Sequence, residues 1–174
     1  MNRNLHHPPH IFIDDSWYFI TAHTIGFVSA LRGNLPKMIW TEKLHEAVKA
    51  FNIQIHAYVL LDDHYHLLGY IKASSNIPKF IHRLHGTTSY LLNKIDHAVG
   101  RRVWHNYWDR VIRDEAEFYT KLNYIHYNPV KHGYVSNPKK WEFSTYQYFL
   151  LEKGEEWMWD CLNTYPINDV DYEN

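Results

Sequence analysis

The chain has 174 residues, of which 45% are hydrophobic and 17% aromatic, and its formal net charge is −1. This length predicts one domain with enough apolar residues for a core. A single cysteine excludes an internal disulfide framework, and no apolar run approaches the roughly 20 residues that span a membrane. The amino terminus lacks the hydrophobic segment of a signal peptide. We therefore predict a soluble, cytoplasmic protein without a membrane partner.

The charge is distributed unevenly. Residues 72–113 hold eight basic and two acidic side chains, whereas residues 152–174 hold seven acidic side chains and one lysine. A basic zone can follow a phosphate backbone, and an acidic tail avoids one, although both patterns are also typical of solvated surfaces. We divide the chain into one domain at 1–151 and an acidic tail at 152–174. The predicted DNA-contacting residues are Lys79, Arg83, Arg101, Arg102, Arg110 and Arg113.

Two tryptophans lie close to two of these arginines. Trp104 and Trp108 follow Arg101 and Arg102, and aromatic rings beside basic side chains can stack on the bases of single-stranded nucleic acid. The same tryptophans would also be expected at the edge of a core beneath a solvated loop. Both interpretations stay open from the sequence alone.

The first half of the chain predicts a strand, a helix and a β-hairpin. Residues 17–27 are rich in aromatic and β-branched side chains, which favour strands. Pro36 opens a pattern of apolar residues at i, i+3, i+4 and i+7 that indicates a helix. In residues 53–61, apolar side chains recur at every second position and would therefore share one face of a strand. A turn signal of two aspartates separates them from a returning strand at 64–71.

The second half predicts two helices joined by a loop or a short strand. Start signals at 74–78 open a long amphipathic helix that ends near Gly100. Asp114 and Glu117 resemble a capping box that opens the last helix. Pro129 should end that helix, because proline lacks an N–H donor and disfavours the helical conformation of the residue before it. This order predicts an α+β fold with helices on one face of an antiparallel sheet.

His64 and His66 form a His-x-His pair within the predicted strand 64–71. Residues two apart in a strand point to the same face, so both imidazoles can bind one metal ion while Tyr65 packs on the other face. A chain with fourteen histidines also produces this spacing by chance. The pair alone therefore leaves a metal site and an ordinary strand face as alternatives.

Tyr124 and Asn128 stand four residues apart in the last predicted helix and should share one of its faces. The apolar stripe of that helix follows Phe118, Leu122 and Ile125, and Tyr124 lies about 200° around the helix from Leu122. A tyrosine away from the stripe is a candidate nucleophile with Asn128 as a candidate metal ligand. As one of fourteen tyrosines, it can also be a packing residue.

Several short motifs occur in a fixed order between residues 16 and 145. They are Tyr18-Phe19-Ile20-Thr21, Ala57-Tyr58-Val59-Leu60-Leu61, the histidine pair, Val111-Ile112-Arg113-Asp114-Glu115, Tyr124-Ile125-x-x-Asn128-Pro129-Val130-Lys131-x-Gly133 and Trp141-x-x-Ser144. In this order the chain resembles the REP-associated tyrosine transposases, which are single-tyrosine members of the HUH (His-hydrophobe-His) endonuclease superfamily. The resemblance implies a ferredoxin-like fold with the histidine pair on a central strand.

The resemblance also implies an activity, namely nicking and rejoining of single-stranded DNA beside a hairpin. Tyr124 would attack a phosphodiester and leave a 5′-phosphotyrosine and a free 3′-hydroxyl. His64, His66 and Asn128 would hold Mg²⁺ or Mn²⁺, which stabilises charge on the phosphate and on the departing oxygen. The covalent bond retains the energy for rejoining, so no nucleotide cofactor is expected. The superfamily includes monomers and dimers, and both states stay open.

The chain departs from the family pattern at two positions. The turn before the histidines usually reads Met-Pro-Asn/Asp but here reads Leu61-Asp62-Asp63, and Tyr65 replaces an aliphatic residue within the pair. Neither change affects a proposed ligand. A domesticated, non-catalytic protein that binds DNA hairpins is the alternative function, and a zinc hydrolase of small molecules is a third.

Overall fold

The computed structural model describes residues 10–167, which form a four-stranded antiparallel sheet and five α-helices. The strands are β1 (Ser16–Thr24), β2 (Gln54–Leu60), β3 (His64–Ile71) and β4 (Trp104–Val111). The helices are α1 (Asn34–Phe51), α2 (Ile77–Ile95), α3 (Glu115–Lys131), α4 (Tyr146–Lys153) and α5 (Glu155–Thr164). Three short 3₁₀ turns lie at Ile25–Phe27, Ser74–Asn76 and Pro138–Lys140. None of the helices within 10–167 combines the length and apolarity needed to cross a bilayer.

The strand order β2-β3-β1-β4 places β3, which carries the histidine pair, inside the sheet. β3 pairs antiparallel with both β1 and β2. Helix α1 joins β1 to β2 and α2 joins β3 to β4, which is the β-α-β-β-α-β order of a ferredoxin-like fold. The predicted α+β class and the central position of the histidine strand are confirmed.

Helices cover both faces of this sheet. On one face, Tyr18 and Tyr65 pack with Trp40 of α1 and Phe80 of α2. On the other face, a second cluster joins the sheet to α3, α4 and α5 through Phe19, Val59, Leu68, Ile125, Phe149 and Met158. The expectation of helices on a single face holds for α1 and α2. It is corrected for α3, α4 and α5, because their apolar residues are buried against the second face.

Two predictions about the strands are also corrected. A register shift between Ile55 and Ala57 turns Ile55 towards α1 and α2, while Ala57 faces α3, so 53–61 do not share one apolar face. The segment predicted as a loop or short strand is the eight-residue strand β4. Its Trp104 is 6% exposed and donates a hydrogen bond to Thr88. This burial excludes Trp104 from stacking on DNA bases.

Helix α3 continues past Pro129, whereas the sequence predicts that it ends at Asn128. A proline inside a helix removes one hydrogen bond and crowds the preceding turn. Tertiary burial outweighs that cost here, because residues 121–126 are all buried, Tyr124 included. The narrow apolar stripe is therefore not the only packed face of α3. Asn128 lies inside the helix, and its carbonyl accepts a hydrogen bond from the backbone N–H of His132 at 3.0 Å.

A buried ion pair holds the turn before β3. Lys37 of α1 is 3% exposed, and its ammonium group binds the Asp62 carboxylate and the carbonyl oxygen of Leu31. The backbone N–H of Leu31 donates in turn to the Asp62 carbonyl at 2.9 Å. Asp62 stands where the family pattern has proline. The ion pair therefore provides a different way of fixing this turn, because the buried ammonium group of Lys37 needs a partner.

Candidate active site

His64 and His66 lie on the face of the sheet that α3 covers. Their ring centroids are 5.2 Å apart, and the ring of Phe19 from β1 stacks on His66 at 5.4 Å. His66 is 2% exposed, and its Nε2 atom is buried without a hydrogen-bond partner. Buried polar atoms are rarely left unpaired. This nitrogen is therefore a candidate ligand atom.

The other ring nitrogen of each histidine is held by a hydrogen bond. Nδ1 of His66 lies 2.7 Å from the Thr21 hydroxyl, and Nδ1 of His64 lies 2.6 Å from the Asp63 carboxylate. Burial raises the pKa of Asp63, but the hydrogen bond and charge of His64, together with His132, outweigh it and hold that pKa below its ordinary value. Burial keeps the pKa of His66 well below its ordinary value, so this imidazole is neutral at pH 7. The neutral imidazole of His66, held in orientation by Thr21, is suited to metal binding.

The amino-terminal cap of α3 sets where this helix starts. The Asp114 carboxylate accepts a hydrogen bond from the backbone N–H of Glu117 at 2.8 Å, and the Glu117 carboxylate accepts one from the backbone N–H of Arg113 at 2.9 Å. Asp114 is thus the cap residue that the sequence predicts. Its position determines which side chains of α3 face β3.

Tyr124 and Asn128 both reach the histidine pair from α3. Oδ1 of Asn128 lies 3.2 Å from Nε2 of His64. The ring of Tyr124 packs edge-on against that of His66, with 5.0 Å between centroids. Both side chains are buried. The four residues that the sequence singles out for the site, from β3 and α3, therefore lie together in the fold.

The donor atoms of this cluster fit a divalent cation. Nε2 of His66 is buried without a hydrogen-bond partner, and Asn128 places its Oδ1 beside Nε2 of His64. Two imidazoles and one carboxamide oxygen leave positions for phosphate oxygens and water, as Mg²⁺ or Mn²⁺ would require. Within 10–167, no group of three or more His, Cys, Asp or Glu side chains could hold a metal ion. A three-ligand site here therefore requires the amide of Asn128.

Two lysines that the sequence analysis did not assign to the site approach the ring of Tyr124. Nζ of Lys121 lies 5.5 Å from the centroid of that ring and 5.0 Å from that of Phe19, and Nζ of Lys131 lies 5.1 Å from the Tyr124 ring. Lys121 is only 4% exposed. It precedes Tyr124 by three positions, a spacing that places both on one helix face and could have identified it. Positive charge beside the tyrosine favours an anionic substrate.

A cleft of about 470 Å³ borders the site. Its walls come from α3 and from the end of α5 with the residues after it, and they include Tyr124, Tyr127, Asn128, Lys131, Leu162, Asn163, Pro166 and Ile167. The cleft thus lies beside the tyrosine and the amide, where a substrate strand could reach them.

One wall of this cleft belongs to the predicted acidic tail at 152–174. Its residues 155–164 form α5, which packs on α3. The side-chain amide of Asn123, on α3, donates to the carbonyl oxygens of Cys161 and Tyr165 at 3.0 and 2.9 Å. The acidic residues Asp169, Asp171 and Glu173 lie outside the described residues.

Four of the six residues predicted to contact DNA lie away from this site. Lys79 and Arg83 are exposed on α2, which packs on the face of the sheet opposite to α3. Arg101 and Arg102 lie between α2 and β4, and Arg101 forms a 2.6 Å ion pair with Asp96. Contact between these four residues and DNA stays a prediction.

The other two, Arg110 and Arg113, lie closer to α3. Arg110 is paired with Phe19 across β4 and β1 and therefore shares a sheet face with the histidine pair. Both guanidinium groups bind the Glu117 carboxylate, at 2.7 and 3.1 Å. Their contact with DNA likewise stays a prediction, but the fold places Arg110 on the face that carries the site.

A family model described as Transposase IS200 like matches residues 28–128, more than half of the chain. The chain belongs to the IS200-like transposase family. The matched range contains the histidine pair, Tyr124 and Asn128. The motifs quoted from the sequence therefore lie largely within the part of this IS200-like chain that the family model covers.

This IS200-like chain is similar to REP-associated tyrosine transposases in sequence and in structure. It is 26% identical over 137 residues to the REP-associated tyrosine transposase of Escherichia coli (strain K12), a match that covers 74% of this chain and 79% of that relative. A solved structure of a REP-associated tyrosine transposase bound to a REP hairpin matches it with a TM-score of 0.70. That match has 18% sequence identity and covers 86% of this chain and 87% of the other, and it shows the fold. The resemblance seen in the sequence is confirmed.

Proposed function

We propose that this chain nicks and rejoins single-stranded DNA beside hairpin elements through a covalent bond to Tyr124, with Mg²⁺ or Mn²⁺ bound by His64, His66 and Asn128. The observation that carries the proposal is the contact of one helix with the histidine pair through two residues, Tyr124 at 5.0 Å between ring centroids and Asn128 at 3.2 Å. A structural relative bound to a REP hairpin supports hairpin DNA as the partner.

Tyr124 supplies the nucleophile in this proposal. Its phenolic oxygen attacks the phosphorus of a phosphodiester, and the bond from phosphorus to the 3′ oxygen breaks as the new bond forms. The phenolic proton passes to solvent and the 3′ oxygen gains a proton. The products are a 5′-phosphotyrosine and a 3′-hydroxyl. Attack of a 3′-hydroxyl on the phosphotyrosine reverses the step and joins two strands, so no nucleotide cofactor is required.

The surrounding residues position the phosphate and the ligands. A bound divalent cation would stabilise charge on the phosphate and on the departing oxygen. Thr21 and Asp63 hold the two imidazole rings so that each Nε2 is left for the cation. Lys121 contributes a buried positive charge next to the Tyr124 ring, which favours an anionic phosphate there.

Covalent capture tests the proposal. The full chain is incubated with Mn²⁺ and a pool of synthetic DNA hairpins that carry randomised single-stranded arms, and the mixture is then denatured. We expect a protein–DNA adduct that survives denaturation and requires the cation. Tyr124→Phe should abolish the adduct. Tyr119→Phe, which removes a hydroxyl from the same helix, should preserve it.

Three other outcomes would contradict the proposal. Binding of the hairpins without an adduct, with Mg²⁺ and with Mn²⁺, would favour the non-catalytic hairpin-binding protein. An adduct that persists in Tyr124→Phe would assign the nucleophile to another residue. Tight zinc binding without DNA affinity would favour a zinc hydrolase.

A further inference from the structure

A stack of four aromatic rings lies beside the candidate active site. The ring of His23 stacks on that of Phe27 at 4.2 Å between centroids, with 16° between the planes. The rings of His105 and Trp108 also stack on that of His23, at 4.8 and 4.9 Å between centroids and with interplanar angles of 16° and 25°. His105 and Trp108 are parallel to within 10°. These four residues, here called the aromatic platform, come from β1, β4 and the turn after β1. The Phe27 side chain is exposed, and the other three are half-buried.

The platform shares its sheet face with the histidine pair. His23 is directly opposite His64 in the pairing of β1 with β3, and Trp108 is opposite Thr21, which holds His66. Residues directly opposite in an antiparallel pair point to the same face, with Cα atoms about 5 Å apart. The platform is therefore the next set of side chains along the sheet from the candidate ligands.

Backbone hydrogen bonds tie the turn that carries Phe27 to the site. The N–H of Thr24 donates to the carbonyl of Asp63, the residue before His64, at 2.7 Å. The hydroxyl of Thr24 donates to the carbonyl of Val28 at 2.6 Å and closes the turn over Phe27. The position of Phe27 is thus fixed relative to His64 by short, direct contacts.

Phe27 is held in a conformation that folding alone does not explain. Its ring is 62% exposed, so it contributes little to the core. Its backbone has φ 54°, in the left-handed region that bulky residues rarely adopt, and it follows Gly26 at φ 65°. Strained backbone of this kind is concentrated at ligand-binding and functional sites. An exposed phenyl ring kept over His23 at this cost points to a ligand with a flat face.

We propose that the aromatic platform stacks one unpaired nucleobase of the DNA strand next to the phosphate that Tyr124 attacks. The proposal rests on the proposed function, because it takes the substrate to be single-stranded DNA. Every nucleobase has a face that can stack on an aromatic ring, and in single-stranded DNA that face is open. The occupant is a base rather than a second protein chain, because the platform is continuous with the site that is proposed to bind a phosphate of the same strand.

The experiment combines abasic nucleotides with a variant of Phe27. All binding is measured in the Tyr124→Phe background, so that no cleavage occurs and the result does not depend on catalysis. An oligonucleotide is first enriched by binding from the pool of hairpins with randomised arms. Each position of its arms is then replaced in turn by an abasic nucleotide, and dissociation constants are compared for Phe27 and Phe27→Ala proteins.

With Phe27 present, one arm position should show a loss of affinity of about 5- to 140-fold when it becomes abasic, the range of a single base stacked on an aromatic side chain. In Phe27→Ala that loss should disappear, while losses at all other positions stay the same. Phe27→Trp should retain the loss at the same position. Val28→Ala, which shortens an exposed neighbouring side chain, serves as the matched control.

The proposed platform would be overturned if the loss of affinity caused by each abasic nucleotide were the same in the Phe27 and Phe27→Ala proteins. This holds even if adducts with Tyr124 form. Failure to enrich any oligonucleotide would overturn it as well. A change of molecular mass on Phe27→Ala, without a change in DNA binding, would identify the platform as a contact between two copies of the chain. A position-specific loss without any adduct in the wild type would support the platform and contradict the proposed catalysis.

Discussion

The hydroxyl oxygen of Thr21 lies 2.7 Å from Nδ1 of His66, across the pairing of β1 with β3. For Nε2 of His66 to present its lone pair, Nδ1 must carry the proton and donate it to this hydroxyl. Thr21 therefore holds the orientation of a candidate metal ligand, and its hydroxyl can accept from Nδ1–H in the tautomer that leaves Nε2 open. It is buried, so water cannot easily replace it.

Thr21→Val should weaken the apparent affinity for Mn²⁺ by about 10- to 100-fold, the usual effect of removing a partner of a metal-binding histidine. Thr21→Ser keeps the hydroxyl and should behave like the wild type. The measurement is the rate of adduct formation against Mn²⁺ concentration. Hairpin affinity is the control and should not change. An unaltered Mn²⁺ dependence in Thr21→Val would show that this hydrogen bond does not support a ligand.

Asn123 should be necessary for the docking of α5. Its buried amide donates to two carbonyl groups, those of Cys161 and Tyr165. Asn123→Ala leaves both carbonyls without this donor and should lower the free energy of unfolding by about 1 to 3 kcal/mol. Asn123→Asp should lower the free energy of unfolding further, because a carboxylate would face two carbonyl oxygens. Urea denaturation measures both values.

Asn163→Ala is the matched control for this prediction, because Asn163 is exposed on α5. It should change the free energy of unfolding by less than about 0.5 kcal/mol. If Asn123→Asp is as stable as the wild type, the residues from 155 onwards do not dock on α3 in solution. They would then behave as the solvated tail that their charge suggests.

His85 should make the fold sensitive to acid. Its Nε2 lies 2.9 Å from the Tyr65 hydroxyl, and its ring stacks on Trp104 at 4.7 Å. Burial lowers the pKa of His85 from 6.5 to about 3. The unfolded chain therefore takes up this proton first as the pH falls. The contribution of neutral His85 to the free energy of unfolding is therefore complete above pH 6.5. It decreases as the pH falls towards 3, by up to about 1.4 kcal/mol per pH unit.

His85→Gln tests this sign. At neutral pH the variant should be less stable than the wild type by about 1 to 3 kcal/mol, because Tyr65 loses its partner. Below the ordinary pKa of histidine, the difference in unfolding free energy should shrink, because only the wild type has His85 to protonate. His45→Gln, at an exposed position of α1, is the control, and its free energy of unfolding should differ from that of the wild type by the same amount at every pH. A constant gap between His85→Gln and the wild type at all pH values would contradict the assignment.

Features with a local signal could be predicted from the sequence. The spacing of His64 and His66 and the cap at Asp114 depend only on neighbouring residues, and both lie in the elements expected. The role of Thr21 could not be predicted, because it depends on the register between β1 and β3, which no short motif specifies. The continuation of α3 through Pro129 was missed for a related reason, since burial in a second helical layer overrides a local helix-breaking preference.

The measurement that tests the central claim most directly is the mapping of the residue that becomes joined to DNA. The adduct formed with Mn²⁺ is digested with nuclease and protease, and the peptides are sequenced by mass spectrometry. The account predicts a nucleotide phosphate on Tyr124, in the peptide that also contains Asn128. A nucleotide on any other residue, or the absence of a modified peptide from protein that binds hairpins tightly, would contradict it.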